Sequence, residues 1–273
     1  MAFFEPQNII ILKNRMEIRK MLKSDVEIIS NSAVEKADLA KNKPGKYFLK
    51  AIIAGFYIVV ATILSNVSAA VLYPTFPQFG KLIGSFLFAI AIVLIVFVGG
   101  ELFTGNNMTM SMGVFNKSCK RSDMIRVWIY SYIGNFIGAF IIGILFIGGG
   151  TCKGLLTDYY NSFVMAKLTA EPIQLIFRGI LCNFMVCLAV LASIRMKTES
   201  GKIIVMFFVI MAFVVSGLEH CIANMGIFTL AYFLLGGLPL HLVAINMICV
   251  TIGNIIGGAI LLALPLKLMS TDK

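Results

Sequence analysis

Charge is scarce in this chain: 13% of its residues are Asp, Glu, Lys or Arg, where an ordinary soluble domain carries roughly 25%. Histidine is scarcer still, with two in 273 residues, and no histidine or cysteine stands at metal-ligand spacing from another. Phosphate-cradling loops and nucleophile elbows are missing as well. The chain therefore reads as no enzyme, with no metal and no cofactor. The six cysteines (119, 152, 182, 187, 221 and 249) form no disulfide framework and read as small, mostly buried apolar residues. Short alternating apolar segments, the mark of a β-barrel, are absent too. No compact apolar core followed by small residues occurs in residues 1–47, so a cleavable signal peptide is not expected; Met16 and Met21 offer alternative starts.

What fills the chain instead is apolar sequence, at 59%. A helix needs about 20 mostly apolar residues to cross a bilayer. Six such stretches occur, at 48–72, 80–116, 125–149, 172–195, 202–236 and 239–267. The fold class expected is all-α and integral to the membrane, with the second and fifth stretches too long for simple crossings. The net charge of +10 is concentrated in residues 1–50 and then in "KSCKR" with Arg126, in Arg195, Lys197 and Lys202, and in Lys267. These clusters fall on alternate loops, as the positive-inside bias predicts for a plasma-membrane protein with both termini cytoplasmic. That distribution points to a lipid bilayer as the partner and not to nucleic acid. Residues 1–46 read as an amphipathic or loosely ordered cytoplasmic arm.

The sequence also repeats itself. "FLKAIIAGFYIVVATILS" (48–65) lies over "IFRGILCNFMVCLAVLAS" (176–193), "GGELFTGNNM" (99–108) over "SGLEHCIANM" (216–225), and "GNFIGA" (134–139) over "GNIIGG" (253–258). The offsets are 128, 117 and 119 residues, in the same order. Two halves of three spans follow, residues 47–151 and 152–273, and an odd number of spans inverts the second half in the membrane. Such inverted repeats place two interrupted helices face to face near the midplane, where a permeant species can be held.

Interrupted backbone in a bilayer must be buried in protein or line an aqueous path. Short helices are expected after Gly105 and Ala223, their N-terminal N–H groups aimed inward and favouring an anion. Glu101 and Glu219 accompany the breaks, and each needs backbone N–H groups or a neighbour to offset its burial. They read as holding the bend or as lining the path. Asn135 and Asn254 sit at matching places and can satisfy exposed backbone. His220 stands on the second break, able to act as a fixed donor to an anion or to give a proton to a weak-acid anion. His241 reads as interfacial. In the loop expected over 150–172, Lys153 and Lys167 are the only lysines, and one folded toward the break would attract anions.

These residues resemble the formate/nitrite transporter family. The resemblance rests on "GGELFTGN" in span two, "SGLEHCIANM" in span five, "NFMVC" in span four, and "GNFIGA" and "TIGNIIGG" in spans three and six, and it covers roughly residues 35–270. On overall similarity the chain looks most like the clostridial hydrosulfide ion channel branch. The resemblance implies a homopentamer with an aquaporin-like pore in each protomer for small monovalent anions, namely hydrosulfide, formate, nitrite and chloride. It implies that Thr104 is the gating-loop threonine, with Leu102, Phe103 and Ile92 as the cytoplasmic constriction and Phe88, Phe213 and Val186 as the opposite one. It makes His220 the central histidine, Lys167 the lysine near it and Asn183 a pore-side asparagine. One departure stands out: histidines follow that lysine in formate-transporting members, whereas "LTAEP" follows it here. A proton-coupled formate or nitrite transporter is the alternative reading. A neutral-solute channel of aquaporin type is disfavoured, because its paired Asn-Pro-Ala signals are missing.

Overall fold

A computed structural model describes residues 6–271, and for residues 6–16, 18 and 19 it describes the backbone alone. Residues 1–5 of the expected arm and the side chains of Lys13, Arg15, Met16 and Arg19 lie outside the described residues. The described residues form ten helices: α1 (Pro6–Asn42), α2 (Pro44–Leu72), α3 (Pro77–Gly99), α4 (Phe103–Phe115), α5 (Arg121–Gly148), α6 (Lys153–Leu168), α7 (Pro172–Arg195), α8 (Glu199–Val215), α9 (Cys221–Leu234) and α10 (Leu240–Ser270). Among the described residues there is no strand. Proline opens α2, α3 and α7, where its missing N–H costs no hydrogen bond and its fixed φ already suits a helix. Among the described residues five helices, α2, α3, α5, α7 and α10, are long and apolar enough to cross a membrane. The sixth crossing is made by α8 and α9, of 17 and 14 residues, with the chain broken at 216–220 between them.

Glycine decides which helices touch. A Cβ on Gly138 would run into the carbonyl oxygen of Ile52, and one on Gly257 into that of Ile180. Gly134 with Gly138 on α5, and Gly253 with Gly257 on α10, are therefore small-residue pairs spaced by four that let α5 close on α2 and α10 close on α7. The two "GN..G" segments of the repeat thus build the same kind of contact twice.

Two expectations change against the structure. The short helices begin earlier than expected, at Phe103 and Cys221 instead of after Gly105 and Ala223. The reason is that the N–H groups of Phe103 and Cys221 each find a side-chain acceptor, described below. The loop expected over 150–172 is largely helix α6, which packs Leu156, Tyr160, Val164 and Leu168 against Ile227, Phe228 and Leu230 of α9. Of the two readings of the arm, its described residues fit the amphipathic one: α1 buries Val26 and Ile29 against Met108, Met112 and Leu191 and exposes its other face. Buried Asp25 accepts two hydrogen bonds from Arg195, at 2.9 and 2.6 Å.

All six cysteines are free, with Cys182, Cys187 and Cys221 buried, Cys119 and Cys249 half-buried and Cys152 exposed. His241 is exposed at the start of α10.

Candidate functional site

The two breaks are copies of one backbone design. Gly99 and Gly217 have φ of +99° and +71°, a region open to glycine at little cost and unfavourable to other residues. Two residues on, the N–H of Glu101 donates to the carbonyl of Lys50 at 3.2 Å, and that of Glu219 to the carbonyl of Arg178 at 3.4 Å. Two residues further, the N–H of Phe103 donates to Asn135 Oδ1 and that of Cys221 to Asn254 Oδ1, both at 2.9 Å. Each asparagine returns its own N–H groups to backbone: Asn135 to the carbonyls of Ala51 and Glu101, Asn254 to those of Gly179 and Glu219. Both asparagines are fully buried. These bonds match first-half residues to second-half residues 118 apart at the break, so the sequence offset of 117 is corrected by one. The shift pairs Glu101 with Glu219, and Leu102 with His220.

The carboxylates are bonded to side chains rather than to backbone N–H groups. Glu219 Oε2 accepts from Lys167 Nζ at 2.8 Å and from Asn224 Nδ2 at 2.7 Å, and Lys167 Nζ also reaches Asn224 Oδ1 at 3.1 Å. Glu101 Oε2 accepts from Lys36 Nζ at 2.6 Å, Tyr47 OH at 3.1 Å and Asn106 Nδ2 at 3.2 Å. A buried carboxylate without such partners would lose several kcal/mol. Lys36, Tyr47, Asn106 and Asn224 escaped the sequence reading. For the two asparagines the signal was present: an asparagine follows each glutamate at the fifth position, and the one-residue error in offset hid the match.

His220 precedes α9 in extended conformation, and its Nδ1 accepts the N–H of Ala223 at 3.1 Å, which caps the helix. A neutral imidazole with one nitrogen accepting carries its proton on the other. Nε2–H therefore donates to Thr104 Oγ1, 3.0 Å away in the first turn of α4. The starts of α4 and α9 thus meet through this one bond. By helix geometry the N–H groups of Thr104 and Gly105 have no intrahelical acceptor, which leaves partial positive charge at the same place.

Two vestibules flank this meeting point. One, of about 280 Å³, includes Ile28, Lys36, Gly100, Leu102, Gly105 and Asn106 in its wall and is the arm-side vestibule. The other, of about 240 Å³, includes Lys81, Lys167, Arg178, Glu219 and His220 and is the far vestibule. Between them sits a chamber of about 10 Å³ lined by Ile58, Phe88, Ala91, Ile92, Ile95, Leu102, Val186, Ile210, Phe213 and His220. The rings of Phe88 and Phe213 meet edge to face at 6.1 Å, and Phe213 stacks on His220 at 6.2 Å.

The structure thus brings together His220, Thr104, Leu102, Ile92, Phe88, Phe213 and Val186. Lys167 stands nearby, in the far vestibule. Two expected residues lie elsewhere. Phe103 is not part of the chamber lining; its ring packs on Tyr132 and Trp128 of α5, at 4.9 and 6.5 Å, because the chain turns into α4 there. Asn183 is fully buried, and its amide is engaged by the carbonyls of Thr104 and Asn254 and by Asn107 Oδ1. It ties α4 to α7 and α10 and leaves no donor for an ion. Among the described residues no cluster of His, Cys, Asp and Glu could hold a metal.

Comparison with known proteins agrees with this architecture. The family model described as "Formate/nitrite transporter" matches residues 23–268. The nitrite transporter NirC of Escherichia coli is 33% identical over 236 residues, covering 85% of this chain and 87% of that protein. A solved structure titled "FNT family ion channel" superimposes with a TM-score of 0.83 at 29% identity, over 89% of this chain and 97% of the other. A second, titled "Pentameric formate channel with formate bound", gives 0.73 at 28% identity, over 84% and 98%. These are proteins of transport and not enzymes. The chain is a multi-pass membrane protein that belongs to the formate/nitrite transporter family.

Proposed function

We propose that each protomer is a selective passage for small monovalent anions between the two vestibules, with hydrosulfide its preferred substrate, as in the hydrosulfide branch of the family. The observation that carries this is the chamber: about 10 Å³, with nine apolar residues and one histidine in its wall. That volume is about what one water-sized particle needs. An anion with a single heavy atom fits with the least rearrangement, whereas formate and nitrite each bring three heavy atoms and require the Phe88–Phe213 or Leu102–Ile92 walls to move. An apolar wall also admits only an ion that gives up its water cheaply. Hydrosulfide, soft and weakly hydrated, meets that condition better than chloride.

The chain's residues then act in sequence. Lys167 and Lys36, each paired with a glutamate, place an ammonium donor at the two approaches, and the α4 and α9 helix starts supply positive charge at the centre. Inside the chamber the anion competes with Thr104 for Nε2–H of His220 and gains the threonine hydroxyl as a second donor. Nδ1 of His220 is already an acceptor, which favours a fixed neutral donor over an imidazolium that gives up a proton. The passage operates in a homopentamer, with the arm-side vestibule facing the cytoplasm.

Voltage-clamped proteoliposomes carrying a pH dye test this. Anion-set reversal potentials without proton movement, and a permeability order led by hydrosulfide, are expected. Electrically silent uptake with matching acidification would replace the channel with a proton-coupled transporter. A permeability led by formate or nitrite would overturn the hydrosulfide preference.

A further inference from the structure

The two Lys–Glu–Asn clusters close on different fourth partners. On the arm side it is Tyr47, whose hydroxyl accepts from Asn106 Nδ2 at 2.8 Å and donates to Glu101. On the far side it is Asn246, in α10 and 1% exposed. Asn246 Oδ1 accepts from Asn224 Nδ2 at 2.9 Å, and Asn246 Nδ2 donates to the backbone carbonyl of Lys167 at 3.0 Å.

The helices explain why the partners differ. Lys36 lies inside α1, where the ladder fixes its backbone. Lys167 is the next-to-last residue of α6, among the final carbonyls that have no helical partner. Its carbonyl is held from outside, by a side chain on a membrane-spanning helix.

We infer that Asn246 is the positioning residue of Lys167: it holds the end of α6 so that the ammonium group sits against Glu219 and Asn224 at the far vestibule. The same amide orients Asn224, which itself bonds both Lys167 and Glu219, so one residue fixes the cluster from two directions. The consequence for anion capture rests on the passage proposed above; the positioning itself does not.

Two readouts on Asn246→Ala and Asn246→Asp separate these levels. The first is acylation of the Lys167 amine by a water-soluble succinimidyl ester, followed by peptide mass spectrometry. Loss of one or two net hydrogen bonds should speed labelling of Lys167 about fivefold to tenfold, with Lys36 unchanged. The second is the half-saturating hydrosulfide concentration in proteoliposomes. It should rise in both variants, and Asn246→Ala should add nothing in a Lys167→Met background, since residues that act through one another are not additive. Unchanged labelling of Lys167, or losses that add, would overturn the inference. Should the alanine variant fail to fold, the aspartate variant decides, because it keeps the acceptor for Asn224 and replaces the donor to the Lys167 carbonyl by a carboxylate oxygen that repels that carbonyl. A wild-type protein without anion flux would sink the passage reading, and the labelling rates would still judge Asn246.

Discussion

Leu102 and His220 occupy the same place in the two breaks: each is the extended residue before a short helix, and both face the one chamber. The left-handed glycines, the capping asparagines and the bonded glutamates around them are duplicated. The side chains that face the chamber are not. Duplication builds the cavity from two halves, and the departure from duplication, a histidine where the other half has leucine, gives that cavity its polar group.

Breaking the buried ion pairs should have the largest effect. Lys167→Met would leave Glu219 buried without its cation, a loss of about 3–5 kcal/mol. Lys36→Met should do less, because Tyr47 also donates to Glu101 and the Lys36 side chain is 20% exposed against 13% for Lys167. Thermal unfolding in detergent checks the order. A larger loss at Lys36 would mean that the Tyr47 hydroxyl does not compensate Glu101 for the missing ammonium group.

Next come the capping asparagines. Asn135→Ala and Asn254→Ala each remove three hydrogen bonds to buried backbone. Each should destabilise by on the order of 3 kcal/mol, and by similar amounts, given the penalty for orphaned buried groups. Unequal losses would show that one half carries the fold.

His220→Leu sharpens the comparison by making the breaks chemically alike. A hydrogen bond to a charged group is worth about 1.5–3 kcal/mol, so anion flux should fall by about tenfold to a hundredfold while the protein stays folded. Flux at the wild-type rate would remove the histidine from the passage. Smallest are Gly99→Ala and Gly217→Ala, where a Cβ in the left-handed region costs about 1–2 kcal/mol. Matching shifts in melting temperature are expected, and a neutral Gly99→Ala would break the equivalence.

The membrane-spanning architecture was legible in the sequence because long apolar runs have few other uses and because "GNFIGA" and "GNIIGG" are near copies. His220 was legible as a lone titratable residue in an apolar span, and Glu101 and Glu219 as rare charges beside breaks. The clusters around those glutamates were not. Lys36 is one basic residue among many in the arm, and nothing local marks it as the one that folds back over 65 residues of sequence onto Glu101. Asn183 was expected at the pore from the resemblance alone, and in the structure its amide is engaged by three acceptors.

By itself the sequence determined the class of molecule. Apolar run length and composition leave the bilayer as the only solvent that accepts these helices, and a repeat with an odd number of spans inverts one half against the other. Tertiary structure alone decided where the short helices begin, since an N–H in a bilayer takes whichever acceptor the neighbouring helix offers, and Asn135 and Asn254 offer it at Phe103 and Cys221. It also decided which lysine meets which glutamate, because in a low-dielectric interior a charge is held by the partner that geometry brings within 3 Å and not by the one nearest in sequence.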